Sequence, residues 1–402
     1  MIRRSPRPAE GARLTRRRRL SSLVVLLPLV PLLAACASDA PQDTMNPQGP
    51  ISRSIDHLFN GVFLVAAFVF VVVEFGTLYL VIRFRRRKDD DNDDLPAQTH
   101  GNTKLEIAWT IVPAVMLAVV GFFTLTTLFD INQRDEDALT VQVTGQQWWW
   151  EFTYDTNGDG KFNDEDVLTG SDLVIPAGQD VNLKIHSNDV IHSFWIPALN
   201  GKKDAVPGRE HPLRLNADEP GTYVGQCTEF CGLSHGYMRQ RVIALEPDEF
   251  DAWLEHQTEE ASEPTDGEAA AGAELFATQC SGCHLARGIN DDQFAEQGNG
   301  TELLVSGNAP DLTHFASRGV FAGGILDLWV DQDGDGIVEH DEIGGEFDRG
   351  NVEAWLRDPP AEKPMDAPAL PDPGGDKIRG MPDLNLTEEQ IDQLVDFLET
   401  MD

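Results

Sequence analysis

QCTEFCGLSHGYM, residues 226–238, sets two cysteines, a histidine and a methionine within thirteen residues, and the reading of this stretch decides what surrounds it. Cys227 and Cys231 are spaced CxxxC rather than the CxxC of a redox dithiol. His235 and Met238 follow, and His192 lies 35 residues before Cys227, in NDVIHSFWIP. Two soft thiolates, two imidazoles and a thioether suit copper better than zinc, which rarely takes methionine. Singly, His192 reads equally as a strand histidine and Met238 as core filler. Five ligand-type residues at these spacings read as a site.

Around this stretch, from about 138 to 247, short β-type runs (LTVQVTG, WWWEFTY, LVIPAG, VNLKIHS, GTYVGQC, RQRVIALE) alternate with Gly, Pro and Asn/Asp turns. That pattern predicts an all-β sandwich or barrel, assigned to residues 130–255. Upstream, 58–82 and 107–129 are each long and apolar enough to cross a bilayer as a helix, giving a transmembrane hairpin over 58–129. RFRRRK (83–88) ends the first span and places the intervening loop in the cytoplasm, so the β region lies outside. Glu74 inside the first span reads as a functional contact or as a carboxylate near the helix end.

Residues 1–35 read as a signal peptide, with eight arginines among residues 3–19 and then the run LSSLVVLLPLVPLLAA, which reaches Ala35. LAAC, ending at Cys36, matches the bacterial lipoprotein signature, which predicts a lipid on Cys36 at the head of an outer segment, 36–57. Lipidation occurs on the outer face, in agreement with the topology from the basic run. Downstream, 256–271 is acidic and free of large apolar groups, a linker. Helical periodicity then returns over 272–402, where Thr387 is a cap candidate with Gln390 three residues on.

The formal charge is −36; without residues 1–35 it is 23 Lys+Arg against 66 Asp+Glu, or −43. So acidic a surface excludes nucleic-acid binding and suits either concentrated salt or basic partners. Apart from Cys36 the cysteines fall into two close pairs, which indicates cofactor ligation more than a disulfide framework. The second pair is CSGCH, Cys280–His284, the c-type haem attachment pattern. Cys280 and Cys283 would form thioethers and His284 would be the proximal iron ligand. The distal ligand would be a methionine, and Met381, followed by Pro382 and the final helix in a pattern that resembles cytochrome c domains, is favoured over Met365 and His314.

On these residues the chain resembles subunit II of the haem-copper cytochrome c oxidases: an HxnCxExCxxxHxxM pattern on a β domain behind a two-helix hairpin. The resemblance covers roughly 50–250 and implies a cupredoxin domain holding a dinuclear CuA centre. It implies bridging by Cys227 and Cys231, ligation by His192, His235, Met238 and the Glu229 carbonyl, and a magnesium or manganese ion facing the Glu229 carboxylate at the subunit I border. KLEIAWTIVP (104–113) resembles the start of the family's second helix, which implies a place for Glu106 at the mouth of a proton pathway. GQQWWWEF (145–152) resembles the aromatic stretch beside CuA, which implies electron entry at Trp148, with Trp150 nearby, and KKDAVPGR (202–209) resembles the segment that ends in an arginine near the haem propionates. Gln146 departs from the family, many of whose members have histidine there. GAELFATQCSGCH, APDLTHFASR, NVEAWLRDP and MPDLNLTEEQIDQLVDFL resemble the all-α cytochrome c domain fused to subunit II in caa-type oxidases.

Two acidic loops interrupt that pattern with calcium-loop spacing. The first has Asp155, Asn157, Asp159, Lys161, Asn163 and Asp166 around Gly160; the second has Asp331, Asp333, Asp335, Ile337 and Glu342 around Gly336. Both also read as solvated Asp/Gly turns of an acidic protein.

The resulting expectation is an electron-relay subunit of a respiratory terminal oxidase in the bacterial cytoplasmic membrane, working with subunit I (haem a and CuB) and subunit III. Its donor would be a cytochrome c or a high-potential iron-sulfur protein. Electrons would pass from haem c to CuA and on to subunit I, where oxygen is reduced and protons are pumped. The alternatives are the CuA subunit of a nitric oxide reductase and a lipid-anchored copper-delivery protein.

Overall fold

A computed structural model describes residues 41–85, 100–162, 166–290, 309–365 and 380–402. The signal peptide, Cys36, the basic residues 86–88 and Asn163 lie outside the described residues. Thr44–Asp402 form one unit of mutual contacts.

Two long helices open the described chain, α1 (Pro50–Phe84) and α2 (Thr103–Ile131). Pro50 stands in the first turn of α1, where its missing N–H costs nothing. Asn102 caps α2 by accepting from the Leu105 N–H at 3.3 Å. Phe68, Phe70 and Phe75 on α1 and Leu117, Phe122 and Phe129 on α2 are all more than 60% exposed. Apolar surface so extensive is stable against lipid and not against water, as expected of a two-pass membrane hairpin. The start of α1 is tied to the β domain. Gln48 N–H donates to Ala198 O at 2.8 Å, Asp218 N–H donates to Gln48 O at 2.9 Å, and the Arg53 guanidinium pairs with Asp218.

The middle region is a two-sheet sandwich, the layout expected of a cupredoxin. The strands are β1 (Leu139–Gln146), β2 (Trp149–Tyr154), β3 (Val167–Gly170), β4 (Asp172–Pro176), β5 (Val181–Ser187), β6 (His192–Phe194), β7 (Lys203–Ala205), β8 (His211–Leu215), β9 (Gly221–Gln226) and β10 (Arg239–Leu245). One sheet runs β3-β2-β1-β5-β8 and the other β4-β10-β9. β5 shows the period-2 burial of a half-exposed strand, with Val181, Leu183, Ile185 and Ser187 turned inward. The Tyr154 hydroxyl joins the sheets, donating to Val174 O at 2.9 Å and accepting from Val174 N–H at 2.8 Å. β2 is buried at every position.

After α3 (Pro247–His256), the C-terminal region is helical: α4 (Gly267–Gln279), α5 (Arg349–Arg357), α6 (Pro359–Glu362) and α7 (Glu388–Glu399), with a small hairpin of β11 (Val320–Phe321) and β12 (Leu326–Asp327). α4 crosses α7 at Gly272, where a Cβ would lie 2.0 Å from Gln393 O. Only glycine admits so close a crossing. It brings Phe276 and Phe397 to a ring separation of 5.3 Å. Thr387 and Gln390 form the reciprocal capping box that their spacing predicts: Gln390 N–H donates to Thr387 Oγ1 at 3.3 Å and Thr387 N–H to Gln390 Oε1 at 2.9 Å.

A seam joins the two regions. Arg241 on β10 donates to Asp172 on β4 through Nε at 2.9 Å and NH2 at 3.0 Å, and reaches Val338 O at 2.8 Å. The Gly319 N–H donates to the same carboxylate at 2.9 Å. Val338 and Gly319 belong to the helical region, so a buried ion pair of the sandwich also anchors its neighbour.

Candidate functional site

The turn that follows β9 carries Cys227 and Cys231, a 3-10 turn His235–Tyr237 leads to Met238, and β6 brings His192 alongside. The two Sγ atoms are 3.9 Å apart. Cys231 Sγ lies 3.5 Å from His235 Nδ1 and 3.8 Å from Met238 Sδ, His192 Nδ1 lies 3.1 Å from Met238 Sδ, and Cys227 Sγ lies 3.3 Å from Glu229 O. Ligand atoms of His192, Cys227 and Cys231 all fall within 4.8 Å of one another, and all three residues are buried. All four ligand residues of the opening stretch, His192 and the Glu229 carbonyl are thus brought together.

The electrostatics prepare this cluster for a cation. His192 Nε2 donates to Asp189 Oδ1 at 2.7 Å, which leaves Nδ1 as the lone-pair nitrogen facing the sulfurs. Burial opposes a proton on His192, but Asp189 and Cys227 outweigh it and raise its pKa. A hydrogen bond from Cys231, opposed by burial and aided by His192, brings the Cys227 thiol down to about 4. The same hydrogen bond, with burial, pushes Cys231 upward, so the pair loses one proton readily and holds the other. A bound soft cation would displace that second proton. All four described cysteines are free. The buried His–Cys–Cys core with an adjoining thioether suits copper.

Trp148 is buried beside this cluster and its indole Nε1 donates to Cys231 O at 3.0 Å. Gln147 Nε2 donates to the same carbonyl. Trp150 packs against His192 at 5.8 Å and Phe194 at 5.4 Å, its own Nε1 unpartnered among the described residues. The Glu229 side chain is exposed, as are Phe230, Leu233 and Ile191, at 76%, 63% and 44% exposure. Glu106 is exposed near the start of α2, and Arg209 is exposed in the β7–β8 loop.

In the helical region Cys280, Cys283, His284 and Met381 line one cavity, with about 1320 Å³ of non-atom space that is partly open to solvent. Its walls are mainly apolar: Phe276, Leu312, Phe315, Trp355, Leu394 and Leu398. His284 Nδ1 donates to Pro310 O at 2.8 Å, so Nε2 carries the free lone pair. Burial holds the imidazole pKa down and keeps it neutral. Arg318 also lines the cavity, 5% exposed, and its Nε has no partner among the described residues. A haem fits these residues: two thiols and an imidazole at one edge, a thioether, an apolar slot, and a buried cation for a propionate. Met365 lines the cavity too, whereas His314 does not; its Nε2 donates to Glu259 O at 3.0 Å and its ring lies 5.0 Å from His256. The cavity wall also includes Gln147, Trp148 and Trp149 of the sandwich.

In the loop from Asp155, the Asp155 carboxylate accepts from Asp159 and Gly160 N–H, and Asp166 accepts from Thr156 N–H. Asn157 accepts from Asp159 N–H and Asp159 from Lys161 N–H. In the second loop Asp331 accepts from Gly334 and Gly336 N–H, Asp335 from Ile337 N–H, and Glu342 from Gln332 and Glu339 N–H. Oxygens of Asp331, Asp333 and Asp335 lie within 4.8 Å of one another. The sequence reading did not single out Gln147, Asp189, Arg318 or Lys363; only Asp189, three residues before His192, carries a local cue.

Fold and cluster together define a membrane-anchored cupredoxin with a thiolate–imidazole metal site. The family "cytochrome c oxidase subunit II, periplasmic domain" matches residues 139–245, and its transmembrane domain matches 42–127. Cytochrome c oxidase subunit 2 of Alkalihalophilus pseudofirmus is 35% identical over 378 residues, 92% of this chain and 93% of that protein. Those of Bacillus sp. strain PS3 and Bacillus subtilis are 34% and 31% identical, over 78% and 85% of this chain and 79% and 90% of theirs. The chain belongs to the cytochrome c oxidase subunit II family, and is a subunit of an oxidoreductase complex with an electron-transfer role.

Proposed function

We propose that this chain is a caa-type subunit II that passes electrons from an external donor, by way of a covalent haem c, to a dinuclear CuA centre and on to subunit I. One observation carries the reading. The wall of the cavity that holds CSGCH and Met381 includes Gln147 and Trp148, and both donate to the carbonyl of Cys231. When bound, the two groups supply one-electron couples: a copper pair that shares its charge across two thiolates, and an iron whose potential a thioether ligand raises.

The protein's own residues do the rest. Cys227 and Cys231 would hold the coppers through their thiolates, together with His192, His235, Met238 and the Glu229 carbonyl. Asp189 holds the His192 tautomer. Cys280 and Cys283 would tether the haem, His284 would ligate it through Nε2, and Met381 would close the far side. The mainly apolar cavity walls and the burial of His192, Cys227 and Cys231 limit rearrangement around either centre, which keeps electron exchange fast. Trp148 stands between the cavity and the copper loop, and Trp150 packs on His192. The exposed Phe230, Leu233 and Ile191 beside the loop form the face offered to subunit I, with the Glu229 carboxylate free for a magnesium or manganese ion at that border.

On this reading the sandwich and helical regions lie on the outer face of a bacterial cytoplasmic membrane, with Cys36 lipidated there and Glu106 at a proton-path mouth. Subunit III completes the complex, and a small cytochrome c or a high-potential iron-sulfur protein supplies electrons. Calcium at the two acidic loops would order them without entering the redox chemistry. Titration calorimetry of the full chain tests this, and no heat beyond dilution at about millimolar calcium would discard it. The relay itself is tested by optical and EPR spectra of the purified full chain. Mixed-valence copper hyperfine structure together with c-type haem bands is expected. A mononuclear copper signal, or no covalent haem, would refute it. Oxygen uptake by the assembled complex with a reduced donor, and not nitric oxide uptake, completes the test.

A further inference from the structure

Lys363, Pro364 and Met365 lie between the copper loop and the haem cavity. Lys363 is 2% exposed, and its Nζ donates to Trp148 O at 2.6 Å and to Ala322 O at 2.7 Å. Pro364 O accepts from the hydroxyl of Ser234, a buried residue of the loop between Cys231 and His235. Met365 packs on the sandwich core and lines the haem cavity, where a Cβ on Gly380 would lie 2.4 Å from its Sδ. Three consecutive residues thus reach the tryptophan between the centres, the copper loop, and the residue preceding Met381.

Lys363 is the least expected of the three. Burying an ammonium costs much unless a carboxylate compensates it, and no ion pair to Lys363 is found among the described residues. A methionine would fill the same space more cheaply. What only the amine supplies is several donors at one point, here binding two carbonyls from opposite sides of the seam. Trp148 is consequently held at both ends, its indole N–H by Cys231 O and its carbonyl by Lys363. Gly323 shows how tight this junction is. It has φ +74°, and a Cβ there would fall 2.3 Å from Lys363 Nζ and 2.4 Å from Trp148 O.

We propose that Lys363 is a positioning residue for electron transfer, clamping the Trp148 carbonyl to the Ala322 carbonyl so that the tryptophan is fixed between the haem cavity and the copper loop. The proposal rests on the two-centre relay reading above. The Arg241–Asp172 ion pair involves neither Lys363 nor Trp148, so it remains as an anchor between the two regions when the clamp on the Trp148 carbonyl is loosened.

Two variants of the full chain test it. Lys363→Met removes both donors and keeps the volume, and Gly323→Ala forces the same contact apart while leaving the lysine. In the chain free of copper and haem, hydrogen exchange at 147–149 and 320–324 should quicken on the order of tenfold or more in each, with β5 unchanged. In the loaded chain, copper EPR and haem bands should match the unaltered protein, while haem-to-copper transfer slows on the order of tenfold or more. Unchanged exchange in both variants overturns the clamp, and quickened exchange with an unchanged transfer rate overturns its role in electron transfer. If Lys363→Met fails to load a centre, Gly323→Ala decides the rate. If the unaltered chain shows no copper or haem signal, the relay reading fails, while the metal-free exchange result still decides the clamp.

Discussion

Replacing Arg241 by methionine tests how the two extramembrane regions are joined. The guanidinium makes three hydrogen bonds of 2.8 to 3.0 Å, two to Asp172 and one to Val338 O, and the paired side chains are 5% and 4% exposed. Among the described residues its loss leaves a buried carboxylate with the Gly319 N–H as its one hydrogen-bond donor, and orphans the Val338 carbonyl. Breaking a buried pair on one side costs about 3–5 kcal/mol. Removing Asp172 as well, as Arg241→Met/Asp172→Leu, eliminates the stranded charge and leaves the Gly319 N–H and Val338 carbonyl unpaired, neutral groups at about 1–3 kcal/mol each, less than a stranded charge costs. The double variant should therefore be more stable than Arg241→Met, a coupling that a double-mutant cycle measures directly. The assay is urea unfolding of the full chain in detergent, followed by tryptophan fluorescence, since Trp148 and Trp149 line the junction. A single-variant cost below about 1 kcal/mol, the value of a solvated pair, or additive costs in the double variant, would show that the regions do not dock through this pair.

Three further outcomes are expected. Burial, with Asp311 nearby, raises the Glu151 carboxyl from its ordinary 4.5 to about 8. Its contribution is thus fully present below about 4.5 and falls, by on the order of 4 kcal/mol, as pH rises to about 8; Glu151→Gln should flatten that part of the stability–pH curve, and an unchanged slope would contradict the assignment. Gly272→Val, aimed at the crossing of α4 and α7, should cost about 3 kcal/mol or more and abolish haem incorporation; near-normal haem content would refute the close crossing. Met381→His should lower the haem potential by on the order of 0.1 V or more while Met365→Ala leaves it nearly unchanged; spectroelectrochemical titration distinguishes them, and the reverse pattern would move the distal ligand to Met365.

What was legible in the sequence was whatever repeats locally or clusters in a short window. The ligands at 227–238 lie in one turn, CSGCH is contiguous, the apolar runs are long, and Thr387 and Gln390 sit at capping distance, so each could be read directly. His192 needed only the recognition that a strand returns beside the loop. The seam was not legible. Lys363 meets Trp148 across 215 residues of separation and Arg241 meets Asp172 across 69, and nothing in EKPMD or RQRVIA marks those residues as buried. Every position of β2 is buried because a second region covers it, so its WWEFTY pattern lacks the alternation that would identify one core face. Gln147, between a glutamine and three tryptophans, has no local feature that points to Cys231 O.

The central claim is that one chain carries two redox centres close enough to exchange electrons within it. Its most direct test is rapid photochemical reduction of the haem in the purified full chain, with the copper absorbance followed in time. The account predicts that haem reoxidation and copper reduction proceed together, first order and independent of protein concentration. A reduced haem that persists beside oxidised copper, or a rate proportional to concentration, would contradict it.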